Sequence, residues 1–419
     1  MKITPAQFRA AADALAQILP MTQPADAALS QYFRLNRQLG QQDRAFVAET
    51  LFALLRHRYG VEFNSGADTA RRLLLAYFNR VEGMGLRQLE PLFGADAEWA
   101  AALKSPRETT EIPLAVNAEL PSWLVDMLAP QMTAEEILAL GRALQQPAPL
   151  DLRVNPQLTN RDEVLKILAA DGIDAAPTPY SPLGVRLAGK PALNRHPLFT
   201  SGKVEVQDEG SQLLCYLVAP KRREMVVDFC AGAGGKTLLL GALMQSAGRL
   251  YAFDVAEHRL NKLTPRLRRS QLSNVYPQLL DSENDQRVRR LARKIDRVLV
   301  DAPCSGFGTL RRNPDLKWRQ SAKGIAELSA KQRSILAAAS TLVKPGGRLV
   351  YATCSFLRME NRDVVADFLA SHPSFRLVPA AEVLRQQQIA LDTGEFLELS
   401  PQLHGCDGFF AAVMERNAL

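Results

Sequence analysis

From about Val204 onward the chain alternates short apolar runs with helical stretches, and this alternation restricts the possible folds more than any other feature. Met225-Val226-Val227-Asp228-Phe229 reads as a buried strand, followed by a glycine-rich turn and a helix from about Lys236. Residues 250–254, 275–280 and 298–300 read as further strands, the last ending at Asp301. A long helix precedes Lys344-Pro345-Gly346-Gly347, a turn that launches a strand over 348–351. Strands separated by helices predict βαβ units and a mostly parallel sheet. Residues 409–414 form a last apolar strand, as in a sheet closed by a hairpin. In an open α/β sheet, ligands bind beyond the carboxyl ends of the strands.

Two cysteines stand at such ends. Cys304 lies in Asp301-Ala302-Pro303-Cys304-Ser305-Gly306, and Cys354 in Tyr351-Ala352-Thr353-Cys354-Ser355. A lone free cysteine is more often a buried structural thiol, and Cys215 and Cys230 are read that way. Cys304 and Cys354 differ because both follow strands at the ligand edge, where thiol chemistry on a substrate beside a cofactor is expected.

The cofactor loop is Cys230-Ala231-Gly232-Ala233-Gly234-Gly235-Lys236-Thr237. Glycines allow close approach of the backbone to a ligand, and the following helix N-terminus adds a favourable dipole. A phosphate-binding P-loop requires glycine where Cys230 stands, and a dinucleotide G-x-G-x-x-G requires glycine at Thr237, so both nucleotide readings are incomplete. The remaining reading is S-adenosylmethionine (AdoMet). Asp254, at the end of the second strand, suits the ribose hydroxyls, and Asp281, at the end of the third, can accept from the adenine amino group. With Asp301, these make three aspartates at successive strand ends.

A pyrimidine ring resists methylation at carbon 5 because that carbon is not nucleophilic. A thiolate that adds to carbon 6 turns the ring into an enamine, and carbon 5 can then attack the AdoMet methyl group. The carbon 5 proton must then leave and the thiol be eliminated, tasks that two cysteines can divide.

The first third, roughly 1–143, reads as a helical bundle. Phe8, Leu15 and Ile18, then Phe46, Leu51 and Leu54, then Leu73, Tyr77 and Phe78 repeat at helical spacing. Asp43 is the expected N-cap of the second stripe, and Thr133-Ala134-Glu135-Glu136 is a capping box. Residues 144–203 read as a small α/β module, with strands at 150–155 and 185–187 and a helix over 161–170. The catalytic region is placed at 204–419. A net charge of +7 and a pI near 9.2 favour an anionic partner, of which nucleic acid is the commonest. The N-terminus has no apolar signal core and the sequence no bilayer-spanning run. Five scattered cysteines form neither a disulfide framework nor a zinc pattern, so reduced thiols in a cytoplasmic protein, without a metal, are expected.

The loop string above, the Asp-Ala-Pro-Cys-Ser-Gly motif, Arg311-Arg312-Asn313-Pro314-Asp315-Leu316-Lys317-Trp318 and Tyr-Ala-Thr-Cys-Ser together resemble the Nop/Sun RNA cytosine-5 methyltransferases. Val206-Gln207-Asp208-Glu209-Gly210-Ser211 resembles the entry motif, and Gly405-Cys406-Asp407-Gly408-Phe409-Phe410 the closing strand. Residues 43–56 resemble the NusB-like helical domain of the bacterial Sun/Fmu subgroup, which methylates 16S ribosomal RNA. The resemblance implies a Rossmann-like class I AdoMet-dependent core, an N-terminal all-helical domain and an RRM-like module between them. It implies Cys354 as the nucleophile, Cys304 assisting elimination, Asp301 at the target base, and Lys236 near the cofactor or the catalytic aspartate. A monomer acting on 16S RNA, free or in a partly assembled subunit, is the expected reading. Two departures stand out: Gly232-Ala233 where the family loop has Ala-Pro, and Phe307 where a small polar residue is usual, which bears on the shape of the target pocket.

Arg311, Arg312, Lys317 and Arg319, with Trp318 among them, leave the catalytic strand directly and suit phosphates and a stacked base. Three rivals are carried: a transfer-RNA methyltransferase; a DNA cytosine methyltransferase, whose Pro-Cys thiol attacks; and a non-catalytic RNA-binding assembly factor.

Overall fold

A computed structural model describes residues 3–104 and 111–418. The chain divides into two compact units: Met1–Pro147 with Thr309–Ala322, and Ala148–Gly308 with Lys323–Leu419. The first unit contains no strand among its described residues. Its helices include Pro5–Ile18, Ala25–Leu35, Gln41–Arg56, Ala70–Arg80 and Ala134–Gln145. Phe8, Leu15, Leu51, Leu54, Leu74 and Phe78 fill its core, on the stripes read from the sequence. The Thr133 capping box forms in both directions, Thr133 N–H to Glu136 Oε2 at 2.7 Å and Glu136 N–H to Thr133 Oγ at 3.3 Å. Asp43 does not cap its helix. The helix starts at Gln41 with Gly40 as N-cap, and Asp43 sits in the first turn accepting from Gln7 Nε2.

The second unit carries two sheets. The smaller has the order β2-β3-β1-β4, from β1 (Leu150–Val154), β2 (Ala175–Pro177), β3 (Gly184–Leu187) and β4 (Val204–Val206), all antiparallel. Leu152, Val154 and Val185 pack on Val164 and Leu168 of the helix Arg161–Ala170. The sheet thus extends past residue 203, because Val204–Val206 pairs with β1.

The larger sheet is built from β5 (Met225–Asp228), β6 (Arg249–Asp254), β7 (Val275–Leu279), β8 (Ile295–Asp301), β9 (Val343–Thr353), β10 (Phe375–Val378), β11 (Leu397–Leu399) and β12 (Phe409–Arg416). Its order is β10-β12-β9-β8-β5-β6-β7, with β11 also paired to β12. The pairs among β5 to β9 are parallel, and β12 runs antiparallel to β9. Strand β9 begins earlier than the sequence suggested. Val343 already pairs with Ile295, and the Pro-Gly-Gly turn is a bulge before Arg348 rejoins opposite Arg297. From β5 the chain runs outward to β6 and β7, then returns to the other side of β5 as β8. That reversal makes a topological switch point between β5 and β8, where a crevice must open.

Candidate active site

The crevice is a cavity of about 580 Å³ lined by residues of the cofactor loop, by Asp254 and Asp301, and by both Cys304 and Cys354. The loop turns sharply because Gly232 (φ +56) and Gly234 (φ +85) occupy left-handed backbone. Their reasons differ. A side chain at Gly232 would meet nothing within 4 Å, and the residue lines the cavity. A Cβ at Gly234 would strike Leu263 Cδ1 at 2.1 Å, so Gly234 permits helix packing and does not line the cavity.

The loop is gripped from three sides. Gly232 N–H donates to Asp254 Oδ2 and Ala256 N–H to Asp254 Oδ1, each at 2.7 Å. Arg266 Nη1 donates to Ala233 O, and Arg153 Nη1 to Gly235 O, both at 2.6 Å. Arg153 comes from β1 of the small sheet and also donates to Gln207 Oε1 at 2.6 Å. Burial pulls its guanidinium down to about 10. This anchoring was not read from the sequence, since Arg153 lies 82 residues from its partner.

Asp228 closes the floor. One oxygen accepts from Thr237 Oγ at 2.7 Å, while Oδ1 is buried with no partner in the protein. Burial pushes this carboxyl up to about 7. An unsatisfied buried acceptor of this kind carries an energetic penalty that a ligand amine would relieve. Lys236 Nζ lies 2.5 Å from Asp301 Oδ2. Burial alone would lower this ammonium, but the charge and hydrogen bond of Asp301 raise it above its ordinary value.

The sulfur atoms of Cys304 and Cys354 are 3.3 Å apart, although they lie 50 residues apart in sequence. The Cys304 thiol is pushed well up by its hydrogen bond to Cys354, then by burial, then by the charges of Cys354, Glu360 and Asp301. Cys230 lines the cavity and its thiol is likewise pushed up by burial, whereas Cys215 is fully buried.

Three expectations are corrected. Asp281 does not line the cavity: it is exposed, its N–H donates to Asp285 Oδ2, and that turn brings Leu280 and Glu283 to the wall instead. Phe307 is fully buried and stacks on Phe356 with ring centroids 6.0 Å apart, so it packs in the core and does not line the cavity. The run from Arg311 to Trp318 belongs to the helical unit rather than to an open basic loop. Arg56 donates to Arg311 O at 2.9 and 3.1 Å, Lys317 Nζ donates to Arg56 O at 2.9 Å, and Trp318 stacks on Tyr59 at 5.3 Å. Arg311 and Lys317 are buried, Arg312 is partly covered, and the exposed Arg319 pairs with Asp315. Among the described residues there is no cluster of three potential metal ligands, and no helix is long and apolar enough to cross a membrane.

A switch-point crevice with a glycine loop, an acidic residue at the end of the second strand and an unsatisfied buried carboxylate defines a Rossmann-like, AdoMet-dependent methyltransferase. The comparisons identify its family. Residues 215–415 match the model described as 16S rRNA methyltransferase RsmB/F, and 120–194 match the RsmF/B-like ferredoxin-like domain. The probable ribosomal RNA small subunit methyltransferase B of Synechocystis sp. is 35% identical over 355 residues, covering 84% of this chain and 78% of the relative. The ribosomal RNA small subunit methyltransferase B of Vibrio vulnificus is 31% identical over 440 residues, covering 98% and 99%. The crystal structure of PH0851 matches with a TM-score of 0.81 and 25% identity over 99% of this chain and 100% of that one. The chain belongs to the RsmB/F methyltransferase family.

Proposed function

We propose that this protein methylates carbon 5 of a cytosine in 16S ribosomal RNA, as a monomer in the cytoplasm. The observation that carries the reading is the pair of sulfur atoms 3.3 Å apart at the rim of a cofactor cavity. AdoMet supplies an electrophilic methyl group when bound. Asp254 holds the glycine loop that would cradle it, and Asp228 Oδ1 would offer a partner to its amine. Cys354 Sγ adds to carbon 6, and carbon 5 would then take the methyl group, the sulfur of AdoMet leaving as the thioether S-adenosylhomocysteine. The carbon 5 proton then passes to water, its bonding pair forms the carbon 5–carbon 6 double bond, and the sulfur–carbon bond breaks with its electron pair returning to Cys354 Sγ. The Cys304 thiol is held in its neutral form by its hydrogen bond to Cys354 and by burial, with the nearby charges of Cys354, Glu360 and Asp301 adding to both. A neutral Cys304 thiol 3.3 Å from Cys354 Sγ can donate to that sulfur as it departs. Asp301, fixed by Lys236, faces the target base. The helical unit serves RNA recognition, on free RNA or on a partly assembled subunit.

The test compares ribosomal RNA by bisulfite sequencing from cells with and without the protein, together with two variants in vitro. One 16S cytosine should lose its methyl group when the protein is absent. Cys354→Ala should form no adduct, and Cys304→Ala should accumulate a protein–RNA adduct that survives a denaturing gel. An adduct with Cys354→Ala and none with Cys304→Ala would reverse the roles. A methyl group lost only from transfer RNA would move the substrate.

A further inference from the structure

Glu360 is completely buried on the short turn Arg358–Glu360, six residues after Cys354, and the chemistry above uses it only as a nearby charge. One of its oxygens accepts from Ser305 N–H at 2.8 Å and from Gln332 Nε2 at 3.0 Å. The other accepts from Ser305 Oγ at 2.6 Å and from Ser355 Oγ at 2.5 Å. Ser305 follows Cys304 and Ser355 follows Cys354, so one carboxylate ties down both cysteine loops.

The surrounding contacts close the same joint. Asn361 Nδ2 donates to Ser355 O at 2.9 Å, and Gln332 Nε2 also donates to Pro303 O at 2.9 Å. Gly308 N–H donates to Cys354 O at 2.9 Å. The Phe307–Phe356 stack joins the two loops once more. The ladder between β8 and β9 ends at Asp301 and Ala352, with one further bond from Ala302 N–H to Ala352 O at 2.9 Å, so the pairing of these strands stops short of both cysteines. A doubly accepting carboxylate in a low-dielectric interior supplies a strong restraint beyond that point.

We propose that Glu360 is a positioning residue that holds the Cys354 loop in its attacking position against the Cys304 loop by tying Ser305 and Ser355 to a single carboxylate. The proposal rests on the thiol reading above. Its expected signature is a loss in the covalent step with cofactor binding intact, because Glu360 bonds neither to the cofactor loop nor to Asp254.

The experiment measures adduct accumulation with 16S RNA and AdoMet in Cys304→Ala, then in Cys304→Ala carrying Glu360→Gln. AdoMet affinity is measured by calorimetry on both. Glu360→Gln should slow adduct formation by about 10²-fold at saturating RNA, the usual cost of a displaced reacting group, with AdoMet affinity and the half-saturating RNA concentration unchanged. An undiminished adduct rate in the double variant overturns the proposal and leaves the thiol reading standing. No adduct in Cys304→Ala itself overturns both. If the glutamine variant does not bind AdoMet, Ser355→Ala replaces it. That change removes one donor from the carboxylate and should slow the adduct about tenfold, the worth of one hydrogen bond to a charged acceptor. An unchanged rate there also overturns the proposal.

Discussion

Lys236 and Lys317 are both largely enclosed ammonium groups, with side-chain exposure of 13% for Lys236 and residue exposure of 3% for Lys317, yet their surroundings push them in opposite directions. Lys236 touches a carboxylate, Asp301, and the contact outweighs the effect of burial, so the ammonium is raised above its ordinary value. Lys317 donates to a carbonyl, the oxygen of Arg56, and lies 5.5 Å from the Trp318 ring centroid, and burial pulls it down to about 8 although the charge of Glu119 opposes this. His57 beside it falls to about 4, through burial and then through repulsion by Lys317 and Arg56. A full counter-charge in contact outweighs the burial penalty on a cation, and a carbonyl dipole does not. Lys236 is therefore equipped to hold charge in the cavity wall beside Asp301. Lys317 is equipped to anchor the chain inside a helical unit.

The largest effect expected from this contrast is on Lys236→Met. It removes a preorganised charge from the reaction chamber and should lower methyl transfer by about 10³-fold, read as single-turnover rate at saturating AdoMet and RNA. Lys317→Met should leave that rate unchanged in the folded protein. Equal losses in both would erase the distinction.

The same logic separates two aspartates. Asp254 binds two backbone N–H groups and lines the cavity, whereas Asp281 is exposed and does not. Asp254→Ala should weaken AdoMet binding by about 1–3 kcal/mol, the cost of unpairing buried donors, and Asp281→Ala should leave it unchanged. Calorimetry giving the reverse order would restore Asp281 to the adenine site.

These contrasts mark what the sequence could disclose. The strand-end motifs were legible because a strand, a turn and a helix N-terminus are local, so the sequence alone places Cys304, Cys354, Lys236 and Asp254 at the crevice that they line. Glu360 was not legible. A single acid in Arg-Met-Glu-Asn looks like a solvated turn until folding brings Ser305 to it from 55 residues away. The Arg311–Trp318 run was legible as chemistry but not as packing. Its basic residues suit phosphates, while the contact that governs them, between Arg56 and Arg311, spans 255 residues and leaves no periodic trace. Asp281 was misplaced because the end of a strand fixes where the chain emerges but not which of the next residues turns inward.

A smaller effect should appear in stability against pH. Between about 8 and the ordinary lysine value of 10.5, folded Lys317 has given up a proton that the unfolded chain still holds. Stability should therefore rise with pH across this window, by at most about 1.4 kcal/mol per pH unit from this group. Below it the lysine is charged in both states and contributes no slope. The protein's three tryptophans, Trp99, Trp123 and Trp318, all lie in the helical unit, so their fluorescence reports on that unit. Urea unfolding followed by fluorescence should show the rise in the native chain and lose it in Lys317→Met. Parallel curves for the two would mean that Lys317 is not held out of its charged form.

The smallest effect concerns Trp318, where the packing and RNA-reading roles predict different losses. Its ring lies nearly parallel to Tyr59, at 15° and 5.3 Å, with the Arg58 guanidinium 4.9 Å from its centroid. A ring already stacked on one partner and covered by a cation has little free face to offer a base. Trp318→Leu should therefore cost the helical unit about 0.5–1.5 kcal/mol, the worth of an aromatic pair, in urea unfolding followed by the two remaining tryptophans. RNA affinity in a filter-binding titration should not change. If the ring read RNA instead, its removal would cost about 1–3 kcal/mol of binding, as lost base stacking does, and would leave unfolding where it was. The two roles thus predict losses in different assays, and one variant measured in both decides between them.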